Sequence, residues 1–423
     1  MSAGSRAGVT RRCRGAILSL GAAAITLSPA GASAEWRAAW AASPFPAIRK
    51  LVQRDERSFE NQTTRQYVRI AASGKRLRLR LTNELGSAPV AFGEVHVAIV
   101  GAAGRLKPGS DRVVWFDGRK DGEIAAGAPL LSAPLDLTVR AGETLALSVH
   151  YRLPATPAAH LLELDLAPGN QAAAPVLAAG RKVRAPALAA AVEIWRQAKA
   201  PVIVAFGDSI TEGDGSTPGA YRDWPGQLSA RLLSRPATRA WSVVNAGING
   251  NRMLRHGAGM NALARFDRDA LAVAGVSHVM LLEGINDIGW GSQPDRPDDI
   301  VTADALIAAY RQLIDRAHAR GVRICGGTIL PYGGSLYWTE DGEAKRQQVN
   351  RWIREAGAFD CVIDFDALLA DPTDPAFIAP ALHRGDHLHP NDAGYAAMAK
   401  AAETAISTWP KQPNRVADRR HHR

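Results

Sequence analysis

The chain has 423 residues, 46% of them hydrophobic and 22% charged, which is globular composition with length enough for two domains. The formal net charge of +10 sits mostly at the ends: residues 1–34 hold four arginines and no acid, and the residues after Trp409 carry a net +4. The remaining body is close to neutral, which argues against a nucleic-acid-binding surface.

In chain order, the first element is a leader. Arg6, Arg11, Arg12 and Arg14 precede a short apolar stretch, Ala16 to Leu27, and Ala32-Ser33-Ala34 has the small-x-small pattern of a cleavage site. Residues 1–34 are therefore expected to be a signal peptide, leaving an exported protein, periplasmic or secreted, with no stable membrane insertion once it is removed. Cys13 would leave with it. Cys325 and Cys361 remain; export permits a disulfide, but two buried free thiols are the favoured expectation, because a bridge between neighbouring parallel strands demands unusual geometry.

Residues 35–185 alternate with period two. Leu77, Leu79 and Leu81 interleave with arginines; Val95, Val97 and Ile99, then Leu135, Leu137 and Val139, then Leu145, Leu147 and Val149 repeat the pattern between turn residues. An antiparallel β-sandwich or jelly roll is expected. The Ala/Pro-rich stretch that follows is read as an exit, with a linker over 186–199 and a short helix around Leu188–Gln197. From residue 200 to 408 short apolar runs (Val202–Phe206, Ser242–Asn245, His278–Leu282, Val322–Leu330, Cys361–Phe365) alternate with helical stretches, the grammar of an α/β fold with a parallel sheet covered on both faces. Its clearest helix spans about Ala303 to Arg320, capped by Thr302 and ended by Gly321. Residues 409–423 read as a basic, solvated tail.

In such a sheet the carboxyl ends of the strands carry the ligand. The first strand runs into Gly207-Asp208-Ser209, presenting a serine hydroxyl with its amide at a helix start, although a serine there is also an ordinary cap. Near the C-terminal end, Asp386 stands three residues before His389 on one loop, a spacing that can set a carboxylate against Nδ1–H and leave Nε2 to take a serine proton. His387 and His383 are weaker candidates. The loops Asn245–Gly250 and Gly284–Asp287 follow the second and third strands, and offer a glycine amide and an asparagine NH₂ of the kind that stabilises an oxyanion. There is no Gly-x-Ser-x-Gly elbow, Ser-x-x-Lys, His-Glu-x-x-His or Walker loop, and no cofactor or metal is expected.

Together, Gly207-Asp208-Ser209, Gly247, Gly284-x-Asn286-Asp287 and Asp386-x-x-His389 resemble the four sequence blocks of the SGNH (GDSL-type) serine hydrolases. The resemblance covers about residues 200–405. It implies a three-layer, flavodoxin-like parallel sheet and carboxylic ester hydrolysis, with Ser209 as nucleophile, His389 as base and Asp386 orienting it. The amides of Ser209 and Gly247 and the side chain of Asn286 would form the oxyanion hole. Gly207–Thr217 and Gly247–Arg252 are similar to a secreted arylesterase- or acylhydrolase-like branch found beside xylan-degrading enzymes, in which a β domain ahead of the hydrolase is familiar.

The expected partner is a small-molecule or polysaccharide ester, with small acyl esters of carbohydrate ahead of aryl or lipid esters. A non-catalytic glycan-binding protein on the same fold is the alternative of another class. Asp208, Asn249, Arg252, Trp290 and Tyr332 are candidate substrate contacts, and Trp224, Tyr337 and Trp338 candidate rim aromatics.

Overall fold

The computed structural model describes residues 34–46, 58–196, 200–291 and 299–409, together with Met1 and Gly4. The expected leader, apart from Met1, Gly4 and Ala34, lies outside the described residues, as does the basic tail beyond Trp409. Among the described residues no helix is long and apolar enough to cross a membrane.

The N-terminal unit is a sandwich of two antiparallel sheets. One holds Glu35–Ala41, Ala189–Arg196 and Gly74–Thr82, with Pro129–Leu131 and Leu135–Val139 both pairing with Gly74–Thr82. The other runs in the order Arg181–Ala187, His160–Pro168, Gln62–Arg69, Thr144–Tyr151, Val95–Ile99 and Arg112–Val113. The alternation read from the sequence is the packing pattern. Leu77, Leu79 and Leu81 from one sheet meet Val95, Val97, Leu145, Leu147 and Val149 from the other in one buried cluster. The arginines between the leucines point away, and Arg78 pairs with Glu193 on the neighbouring strand at 2.6 Å.

The expected helix near Leu188 is a strand. Ala189–Arg196 pairs with Glu35–Ala41 on one side and with Gly74–Thr82 on the other, so it is central to its sheet. Its small residues suit a strand pressed between two neighbours, where Val192 and Ile194 reach the core. The passage to the second unit is correspondingly short, and residues 197–199 lie outside the described residues.

The second unit is a five-stranded parallel sheet in the order Ser242–Gly247, Val202–Gly207, Val276–Leu282, Arg323–Gly327, Cys361–Ile363. With the strand at Val202 counted first, this is order 2-1-3-4-5, the flavodoxin-like arrangement. Helices flank it, among them Trp224–Leu233, Ala303–Ala319, Glu340–Glu355 and Asp392–Thr408. Ala303–Ala319 begins where expected, with the Thr302 hydroxyl accepting from the Ala305 N–H, and buries Leu306, Ile307, Tyr310, Leu313 and Ile314. Trp224 and Tyr332, read from the sequence as cleft aromatics, are instead fully buried in this core.

Cys325 and Cys361 form a disulfide, contrary to the expectation of free thiols. They are direct register partners on adjacent parallel strands, with Cα atoms 4.6 Å apart. That register, invisible in the sequence, supplies the close approach that a bridge between neighbouring parallel strands requires. The Trp409 indole N–H points at both sulfurs, at 2.7 and 3.0 Å.

The first strand joins the two units. The Ala38 N–H donates to the Ala274 carbonyl at 2.9 Å, Arg37 donates to the Ala200 carbonyl at 2.5 Å and to that of Gly275 at 3.2 Å, and Ala38 belongs to the core of the parallel sheet. Tyr221, on the second unit, carries Arg69 of the sandwich over its ring at 5.0 Å.

The disulfide closes a loop of 36 residues. Replacing both cysteines by alanine is expected to lower the unfolding free energy by about 3 kcal/mol. Denaturant melts of the double variant check this, and a midpoint equal to wild type would show that the bridge does not hold the sheet edge.

Candidate active site

Three strand ends and one late loop converge. Val202–Gly207 ends at a glycine that has no room for a Cβ, since one would strike the Leu282 carbonyl and the Thr211 hydroxyl. The chain turns there into a one-turn helix, Ser209–Glu212. Asp208 caps it: its carboxylate accepts from the Ile210 N–H at 2.9 Å, and its carbonyl accepts from the N–H groups of Thr211 and Glu212. The Ser209 amide is left without a partner inside the turn.

The Ser209 side chain is 4% exposed and lies 2.8 Å, Oγ to Nε2, from His389, itself 8% exposed. His389 Nδ1 is 2.7 Å from Asp386 Oδ2. With Nδ1–H donating to the carboxylate, Nε2 accepts the serine proton, so the network itself selects the tautomer. Asp386 Oδ1 also accepts from the backbone N–H groups of Leu388 and His389, at 3.0 and 2.9 Å. Burial works against the Asp386 charge, but the His389 ring and these amides prevail and hold its carboxyl well below the usual carboxylate range. His387 does not compete: it adopts φ +58° and packs against His383 and Phe377.

Gly247 ends the neighbouring strand against this helix, and a Cβ there would collide with the Glu212 backbone. Its N–H, expected to face an oxyanion, donates to Asn245 Oδ1 at 2.9 Å. Asn286, on the third strand-end loop, donates one Nδ2 hydrogen to the Asn251 carbonyl at 2.9 Å and keeps a second. Asp287 beside it accepts from the N–H groups of Met253 and Leu254, at 2.5 and 3.0 Å, and so fixes the loop that carries Asn251.

The other candidates divide. Asn249 reaches the site: its Nδ2 donates to Asp214 Oδ2 at 2.9 Å, and its N–H donates to Glu212. Trp290 lines a cavity of about 160 Å³ beside Asn249. Arg252 lies under that ring, 4.8 Å from its centroid, and pairs with Asp299 at 3.0 Å, so it braces the wall. Asp208 faces inward as a cap, and Tyr332 is core. Tyr337 is half-buried, with its hydroxyl 3.4 Å from Asn286 Oδ1, while Trp338 is partly exposed.

Three residues have no motif that would single them out in the sequence. Asp214 Oδ2 is 3.7 Å from His389 Nε2. Arg384 ties Asp214 to Asp386, its Nε lying 2.6 Å from Asp386 Oδ2. Arg265, fully buried, donates to the carbonyls of Gly207 at 2.7 Å and Ala246 at 2.8 Å and to Asn251 Oδ1 at 2.8 Å. Its partners include Asp269, and a buried acid cluster of Asp208, Glu283 and Asp287 stands nearby. Burial pushes the Asp208 carboxyl up to about 7 and Asp287 to about 6, and it raises Glu283 well above the usual range with help from the Asp208 charge. Among the described residues no group of His, Cys, Asp and Glu is placed to hold a metal ion.

A serine hydroxyl bonded to an imidazole that is oriented by a carboxylate, beside amide donors, is equipped for acyl transfer. Residues 205–397 match the model of the GDSL-like lipase/acylhydrolase family. The chain carries a domain of that family. It is a carboxylic ester hydrolase. Among solved structures, the chain is similar to an acetyl xylan esterase variant from Geobacillus stearothermophilus, with 22% identity over 51% of this chain and 100% of that one and a TM-score of 0.40. It is also similar to a GDSL-like lipase from Bacteroides thetaiotaomicron, with 18% identity over 49% and 87% and a TM-score of 0.37. No curated protein matches the chain. The matched segment holds Ser209, Gly247, Asn286, Asp386 and His389, whereas the sandwich lies wholly outside it.

Arg265→Ala would leave buried carboxyls and carbonyls unpaired behind the site, and is expected to cost about 3–5 kcal/mol in denaturant melts. Because the folded-state carboxyl of Asp208 titrates at about 7, above its unfolded value, its contribution to stability is complete below about pH 4 and is lost as pH rises toward 7. Asp208→Asn keeps the cap acceptor and removes the titration, so its denaturation midpoint should fall less steeply across that window. Parallel slopes would rule out Asp208 as a source of the dependence.

Proposed function

We propose that the protein is an exported serine esterase that removes small acyl groups, acetyl first, from carbohydrate. The observation that carries the reading is the hydrogen-bonded chain Ser209–His389–Asp386, set between the loops of Gly247 and Asn286. Ser209 Oγ attacks the ester carbonyl carbon as His389 Nε2 takes its proton, and Asp386 stabilises the imidazolium. The carbonyl oxygen becomes an oxyanion facing the Ser209 amide and the spare hydrogen of Asn286. Gly247 joins these donors when its N–H exchanges Asn245 Oδ1 for the oxyanion. Collapse breaks the ester C–O bond, and His389 returns the proton to the departing alkoxide. Water, deprotonated by His389, then attacks the acyl-enzyme, releasing the carboxylic acid and restoring the Ser209 hydroxyl.

The small acyl group is supported by the confinement of Ser209 and His389, both under a tenth exposed. Export is supported by the leader pattern at Arg6–Ala34 and by the Cys325–Cys361 bridge, since stable disulfides belong to oxidising compartments. Carbohydrate is favoured over lipid by the polar groups that line the neighbouring groove, Asp214, Ser216 and Asn249 among them. A glycan-binding protein without catalysis would have no use for the His389–Asp386 pair.

Ser209→Ala is expected to abolish hydrolysis of p-nitrophenyl acetate with the fold intact by circular dichroism, and Asn286→Ala to lower kcat by about 10²–10³. Wild-type-like turnover in the Ser209 variant would sink the assignment.

A further inference from the structure

We propose that the β-sandwich forms half of the substrate site: the groove between its last two strands, His160–Pro168 and Arg181–Ala187, and the loop 212–218 seats the alcohol portion of the ester, and that alcohol is a neutral glycan chain. The inference rests on the esterase reading above. His389 Nε2 must deliver its proton to the alkoxide oxygen, so the alcohol departs past that atom. Asp214, 3.7 Å from Nε2, is also part of the wall of a groove of about 540 Å³, well within the range of about 300–1,000 Å³ for ligand sites. The opposite wall comes from the sandwich, where Glu163, Lys182 and Arg184 stand on the strands His160–Pro168 and Arg181–Ala187. Arg181–Ala187 is the edge strand of its sheet.

Charge identifies the kind of alcohol. Lys182 is paired with Asp165 at 2.8 Å, and Asp214 with Arg384. Glu212 faces His160 and accepts from the Asn249 N–H, so what remains in the groove is Arg184 against Glu163, with no excess of positive charge to draw a carboxylate or phosphate. Donors and acceptors interleaved along a groove suit hydroxyl groups, each of which gives and accepts. Arg184 is exposed, and its guanidinium makes no hydrogen bond or ion pair with any described residue, although Glu163 stands directly across from it in register. It also borders the adjoining cavity that Phe45 and Trp290 line, so a chain lying in the groove can continue past it. Arg184 is thus a specificity-determining residue contributed by the sandwich.

The test combines binding and turnover. Xylohexaose is titrated calorimetrically into the Ser209→Ala protein, alone and with Arg184→Ala or Glu163→Ala. In Ser209-intact protein, kcat/KM is measured on acetylated xylohexaose and on p-nitrophenyl acetate. The expected result is binding weakened by about five-fold or more in each groove variant, and a fall of about ten-fold or more in the ratio of glycan to aryl-ester kcat/KM, carried by KM. Thermal melts establish that both surface variants are folded. Unchanged binding and an unchanged ratio in both variants would overturn the proposal. So would a wild-type enzyme that cleaves p-nitrophenyl acetate and neither binds nor deacetylates the hexasaccharide, an outcome that leaves the esterase reading standing. Loss of both hydrolytic activities in wild type would instead overturn the esterase reading, with the binding arm still deciding whether the groove takes a glycan.

Discussion

One buried guanidinium organises this site. Arg265 reaches the carbonyls of Gly207 and Ala246, at the ends of two adjacent parallel strands, and the side chain of Asn251 on the loop that in turn accepts from Asn286. The nucleophile turn and both loops offering oxyanion donors are therefore anchored to a single fork of five N–H groups. Placing that charge at zero exposure is expensive, and the cost is offset by Asp269 alongside and by the stacked ring of Phe206, 3.9 Å away. The neighbouring acids Asp208, Glu283 and Asp287 titrate upward because burial disfavours their charged forms, with repulsion among the carboxylates adding to it. Two of them are nonetheless useful where they are: Asp208 caps the nucleophile helix, and Asp287 fixes the loop after Gly247.

A second layer surrounds the imidazole from the solvent side. Arg384 holds Asp386 and Asp214 on either side of His389, while Asn249 fixes Asp214 from the opposite wall. The histidine is thus gripped by two carboxylates of different use. One lies against Nδ1 and sets the tautomer; the other stands at the mouth of the groove. The sandwich closes that groove, and its His160, held by the Ser43 carbonyl at 2.8 Å, sits 3.6 Å from Glu212 at the end of the nucleophile helix. The same helix therefore meets both units of the chain.

What could be read in advance follows from the range of the interactions involved. Period-two alternation at Leu77–Leu81 and Leu145–Val149, and the apolar runs at Val202 and His278, are local signals, and they correspond to the observed strands. Gly207-Asp208-Ser209 and Asp386-x-x-His389 are also local, since each sits on one turn, and the structure brings the two turns together. Where the structure differs from the local pattern, partners remote in the chain decide the outcome. Ala189–Arg196 has the small residues of a weak helix, and only its two flanking strands make it a strand. The cysteines could not be paired without the register of two parallel strands. Trp224 and Tyr332 occupy loop-like positions in sequence but are covered by packing from elsewhere. Arg265 carries no motif at all, because nothing local distinguishes an arginine bound for the interior from one on the surface.

The seam formed by the first strand has a consequence for how the molecule is assembled. Glu35–Ala41 needs the strand Ala189–Arg196 to complete its sheet, and Arg37 needs the Ala200 and Gly275 carbonyls, the latter 238 positions away. A chain that emerges amino end first exposes this segment long before any of those partners exists. Closure of such distant contacts is slow, and an unpaired strand is open to wrong pairing while it waits. These opening residues therefore wait for partners made much later in the chain, and a premature stop after the sandwich would leave Arg37 and Ala38 without the parallel sheet they dock against.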